Sequence, residues 1–152
     1  MEKRFLEKNA DNFYGCGPCA LSYLTGVEPF NIKGWMVSYR AANPISDCGL
    51  PCKRRNACGD TDGMFDVEIE AFLSMFARKE MKFKPVCRQN VISFARKLPR
   101  NNTYLIISDE HAMVARNGRF WDTRGANIKN PFWSAEIAVG YVRIPWIIAN
   151  KK

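Results

Sequence analysis

The stretch that decides the fold is His111-Ala-Met-Val-Ala-Arg-Asn117-Gly118-Arg-Phe-Trp-Asp122. Asn-Gly supplies two neighbouring residues that tolerate positive φ, and apolar residues recur on both sides of it. The segment therefore reads as a β-hairpin with a two-residue turn. Such a turn sets the register: Arg116 faces Arg119, Met113 faces Asp122, and His111 faces Arg124. Side chains alternate with period two, so His111, Met113, Asp122 and Arg124 fall on one side of the ribbon. Asp122 becomes the diagonal neighbour of His111, roughly 7–8 Å away between backbone positions.

Moving outward, Thr103–Ser108 (TYLIIS) is a β-rich apolar run, and residues 119–123 return from the turn. Residues 136–148 (EIAVGYVRIPWII) close the chain as one more strand, edged by Pro145. Upstream the period is helical. Residues 17–24 carry Pro18 in a first turn, apolar Ala20, Leu21 and Leu24, and Gly26 at the place of a C-terminal cap. Residues 30–42 have a weaker helical pattern. Residues 66–81 have a strong one, with Phe72, Met75 and Phe76 on one face and Glu68 and Glu70 mostly on others; residues 90–98 end before Pro99. Helices first and an antiparallel sheet second predict an α+β fold. Residues 43–63, rich in Cys, Gly, Pro and Asp, form a loop or insertion longer than most connections.

A chain of 152 residues suits a single domain, with a core large enough to fold without staples. Apolar residues make up 47% and charged residues 25%, which argues against wholesale disorder. No run approaches the ~20 apolar residues of a membrane span, and the charged opening MEKRFLEKNADNF is not expected to act as signal peptide or anchor. Net charge is +8, which favours anionic partners; nucleic acid is one candidate, although the basic clusters are short. Six cysteines with no secretory signal point to a reducing, cytoplasmic compartment.

Cys16-Gly17-Pro18-Cys19 admits two chemistries. As a dithiol it would serve a thiol-disulfide oxidoreductase, but that motif follows a buried strand of a βαβ unit, and residues 1–15 are polar and charged. As a lone nucleophile, Cys16 sits where a helix N-terminus lowers a thiol's pKa. The only histidine in the chain, His111, is then its only possible imidazole partner. Asp122 is the preferred group to orient that imidazole, ahead of Asp109 and Glu110, and Arg124 is placed to meet Asp122 or an anionic substrate group.

Cys16 opening a helix with GCGPCAL, and HAMVARNGRFWD on a later hairpin, together resemble the papain-like cysteine peptidase superfamily, in particular its compact bacterial and phage members such as double-glycine leader peptidases. The resemblance implies a Cys-bearing helix packed on an antiparallel sheet, with Cys16 as nucleophile, His111 as base and Asp122 as orienting residue. It also implies hydrolysis of a peptide or isopeptide bond in a protein substrate, with no cofactor required, in a bacterial or phage setting. Members often carry a Gln before the Cys as oxyanion donor; none precedes Cys16 closely here, and Asn12 or Asn9 would take that part. A peptidase fold kept only for binding would share this outline. Cys48, Cys52 and Cys58, with Cys87 as a fourth, make a weaker constellation that would suit a structural zinc, a disulfide or reduced thiols.

Overall fold

The computed structural model of the chain describes residues 16–43, 64, 66–108, 111–122, 125–128 and 136–146. In chain order these form helices α1 (Cys16–Thr25), α2 (Pro29–Ala42) and α3 (Asp66–Ala77), strand β1 (Lys84–Asn90) and helix α4 (Val91–Lys97). Strands β2 (Thr103–Ser108), β3 (Ala112–Arg116), β4 (Arg119–Asp122), β5 (Gly125–Ile128) and β6 (Ile137–Ile144) follow.

The hairpin forms in the expected register. Asn117 (φ 53°) and Gly118 (φ 74°) both take the left-handed conformation that a tight two-residue turn needs. Arg116 pairs with Arg119, Ala115 with Phe120, and Val114 with Trp121. Around this hairpin six strands assemble in the order β1-β6-β2-β3-β4-β5, every neighbouring pair antiparallel. The last strand thus lies inside the sheet, between β1 and β2.

Both faces of the sheet are covered. Leu105, Ile107, Ala112, Val114, Trp121, Val142 and Ile144 lie in one buried cluster with Leu21 and Leu24 of α1, Ile32 and Met36 of α2, and Ile69, Phe72 and Leu73 of α3. Tyr104, Ile106, Met113, Ala115, Phe120 and Ala138 lie in a second with Val91, Ile92, Phe94 and Ala95 of α4. This explains why TYLIIS is apolar without alternation: all six residues of β2 are buried, because each face has helices on it.

Local chemistry accounts for the helix ends. Gly26 (φ 81°) closes α1 by donating its N–H to Ser22 O at 2.8 Å, as a glycine just past a helix should. Asn90 caps α4, its side chain accepting from Ile92 N (2.9 Å) and Ser93 N (3.2 Å). The helix expected over residues 66–81 stops at Ala77, where Arg78 turns left-handed (φ 56°) and Ser74 Oγ accepts from Met81 N at 2.8 Å. Glu68, expected on an outer face, is instead 1% exposed, and its carboxylate takes a two-pronged ion pair from Arg40 of α2, Nε–Oε2 2.5 Å and Nη2–Oε1 2.9 Å. Strands β1 (KPVCRQN) and β5 (GANI) were not expected from pattern. Both are edge strands, where an outer row of backbone groups goes unpaired and Pro85 is tolerated. No helix among the described residues is long and apolar enough to cross a membrane.

Candidate active site

Cys16 is the first residue of α1, half-buried against the larger apolar cluster, with its thiol free. The first-turn N–H groups of a helix lack internal partners and carry partial positive charge, a setting that favours a thiolate. Gly17 is there for a packing reason. A Cβ at this position would lie 2.9 Å from Met64 Cβ, so the first turn can approach Met64 only without a side chain. Pro18 falls inside the first turn, where its missing N–H costs nothing. Cys19 is of a different kind: its thiol is fully buried, and burial first, then the neighbouring Cys16, push its pKa up to about 12. Near neutral pH Cys19 is a protonated core residue, and Cys16 is the accessible member of the pair.

The direction of α1 follows from its contacts. The helix packs on β3 and β4, with Tyr23 stacked on Trp121 at 5.8 Å between ring centroids. Near its C-terminal end, Leu24 O accepts the Trp146 indole N–H at 2.8 Å. Trp146 follows β6, whose Ile144 pairs with Thr103, which in turn pairs with Arg116. The C-terminus of α1 therefore lies at the Arg116 end of the sheet. Ten helical residues span roughly 15 Å, about the length of β3, whose opposite end is the Ala112 end.

At that opposite end stands His111. It precedes β3 and closes the β2–β3 connection, with Ser108 N donating to His111 O at 2.9 Å, and it is 8% exposed. Ser108 Oγ lies 3.4 Å from His111 O and is hydrogen-bonded to Glu136 Oε1, while Glu136 O accepts from Val91 N at 3.0 Å. Ser108 and Glu136 are thus polar neighbours of His111 that sequence reasoning missed. The available signal was weak: a serine ending an apolar run and a glutamate just before another.

Asp122 is the last residue of β4, its backbone paired with Gly125 of β5. The register that makes it the diagonal neighbour of His111 holds at all three pairs of the β3–β4 ladder. The face is a separate matter. Met113, predicted on the same side as His111, lies in the cluster against α4, whereas α1 covers the other face. His111 itself precedes the β3 ladder and is released from its strict alternation. Trp121, next to Asp122, belongs to the α1 side, and its buried Nε1 has no hydrogen-bond partner among the described residues.

Asn9, Asn12, Asp109, Glu110, Arg124, Cys48, Cys52 and Cys58 lie outside the described residues, as do residues 44–63 of the expected loop. Cys87 is an exposed free thiol on β1. Among the described residues no group of three or more His, Cys, Asp or Glu is arranged to hold a metal ion.

Compared with known proteins, the chain matches no family model, and neither a curated protein nor a solved structure matches it significantly. Its own geometry is that of an α+β domain in which a cysteine-headed helix packs on an antiparallel sheet, with the chain's single histidine just before β3.

Proposed function

We propose that this domain is a papain-like cysteine hydrolase acting on a peptide or isopeptide bond. The observation that supports the reading is that the C-terminal end of α1 is held at the Arg116 end of the sheet, while His111 precedes β3 at the strand's other end. Cys16 Sγ attacks the substrate carbonyl carbon while His111 removes the thiol proton. The tetrahedral oxyanion is held by the Cys16 backbone N–H and a side-chain amide, for which Asn12 or Asn9 is the candidate. His111 then passes its proton to the leaving amine, and the acyl-enzyme forms. Water, deprotonated by His111, attacks the thioester, releases the acid and restores the thiol. Asp122 accepts the Nδ1 proton of His111 and keeps the imidazole in its productive tautomer.

The dithiol alternative has less support from the architecture: among the described residues, the helix that joins two parallel strands, α4 between β1 and β2 with β6 lying between them, carries no cysteine. A second reading, a peptidase fold retained for binding, draws on the burial of His111 beside Ser108 and the position of Met113 against α4.

Limited iodoacetamide at pH 6 with mass-spectrometric mapping separates the two. Under the hydrolase reading Cys16 is alkylated before the more exposed Cys87, and His111→Ala abolishes that preference. If Cys87 reacts first and Cys16 stays unmodified, the thiol is not activated and the hydrolase reading falls.

A further inference from the structure

At the end of the sheet remote from Cys16, three arginines meet over the hairpin turn. Arg96 from the last turn of α4, Arg100 from the segment after it, and Arg119 at the start of β4 line a cleft of about 370 Å³, together with Asn117 and Gly118. Among the described residues that line it none is acidic. The volume lies near the lower bound of sites that hold small ligands, ~300–1,000 Å³. Arg100 Nη1 donates to Asn117 Oδ1 at 3.0 Å, tying the segment after α4 to the turn across the mouth of the cleft. That bond uses one of the five N–H donors of a guanidinium. The left-handed Asn117-Gly118 backbone holds the floor in place. The C-terminus of α4 adds a partial negative charge of roughly one half, smaller than the charge of a single guanidinium.

We infer that this cleft binds phosphate. A planar carboxylate is satisfied by a single guanidinium fork, whereas a tetrahedral phosphate offers oxygen acceptors in several directions and matches forks arriving from three chain segments. The site is independent of Cys16 and His111, so it stands or falls apart from the hydrolase reading. The phosphate can come from a small phosphorylated molecule or from a nucleic-acid backbone, and the net charge of +8 assists either.

The test uses the full chain with Cys16→Ala, pyrophosphate by calorimetry, and a fluorescent twelve-residue oligothymidylate by anisotropy. Two variants of equal charge are compared: Arg96→Gln/Arg100→Gln/Arg119→Gln in the cleft, and Lys79→Gln/Lys82→Gln/Lys84→Gln away from it, both checked for fold by circular dichroism. The cleft variant should weaken binding at least about tenfold, and the lysine variant less than about threefold. Binding of pyrophosphate as well as oligonucleotide identifies a small-phosphate site. Binding of oligonucleotide alone, about 20-fold weaker at 200 mM than at 50 mM salt, identifies backbone recognition through three phosphates, at a slope of about −0.7 for each. Equal loss in the two variants, or no binding of either probe at 50 mM salt, overturns the inference.

Discussion

Replacing Arg40 by methionine should be among the most damaging changes away from Cys16. In the native fold the Glu68 carboxylate is 1% exposed and held by two hydrogen bonds from a guanidinium that is itself 16% exposed. Arg40→Met takes from the buried Glu68 carboxylate, between α2 and α3, the two hydrogen bonds and the positive charge that Arg40 gives it. Two unit charges about 4 Å apart interact by about 4 kcal/mol at an effective dielectric constant near 20. Removing one partner of a buried pair typically costs about 3–5 kcal/mol. Domains of this size are stable by about 5–15 kcal/mol, so the substitution removes about a fifth of the total or more. Urea unfolding followed by far-ultraviolet circular dichroism measures it: the midpoint should fall with the slope unchanged. Thermal melting should drop by about 10 °C, at about 2–4 °C per kcal/mol. The double variant Arg40→Met/Glu68→Met, which buries apolar groups in place of both charges, should recover most of the loss. A loss below about 1 kcal/mol in Arg40→Met, or a double variant at least as unstable as the single one, would refute the argument that Glu68 depends on Arg40 for its charge.

Other outcomes follow from the same geometry. Gly34 lies exposed within α2 and a Cβ there would meet nothing within 4 Å, so Gly34→Ala should stabilise the domain by about 0.5–1 kcal/mol in urea unfolding. Gly17→Ala should destabilise it by about 1–3 kcal/mol, because the new Cβ meets Met64 Cβ at 2.9 Å and α1 must shift. Cys19 contributes a pH dependence whose sign can be worked out. Its folded pKa of about 12 exceeds the ordinary 9.0, so above pH 9 the unfolded chain sheds a proton that the folded chain keeps. Between pH 8 and pH 10 the wild type should therefore lose about 1 kcal/mol more stability than Cys19→Ala, a difference that comparative urea titrations resolve.

Where local chemistry dictates structure, the sequence alone was sufficient. Asn117-Gly118 admits one kind of turn, and that turn determined the β3–β4 register before any tertiary contact was considered. Pro18, the apolar residues after it and Gly26 mark out α1 for the same reason, since caps and first-turn preferences act over a few residues. The order of helices and strands was enough for the α+β class. The candidate pair was legible too, because a chain with one histidine leaves a catalytic cysteine only one imidazole to use.

The tertiary structure decided what depends on residues far apart in the chain. β1 and β5 have no strand pattern of their own and exist because a neighbouring strand offers its edge. Glu68 reads as a surface charge until α2 brings Arg40 against it, 28 residues away. Glu136 meets Ser108, the local partner of His111, only because β6 enters the sheet beside β2. The C-terminal end of α1 is tied to the sheet by a hydrogen bond from Trp146 to Leu24, between residues 122 positions apart. Period-two alternation tells which side chains share a side, but not which side the helices will cover. That choice is made by packing two apolar faces against two different helical layers, and it set Met113 against α4 while Cys16 lies with the cluster on the other face.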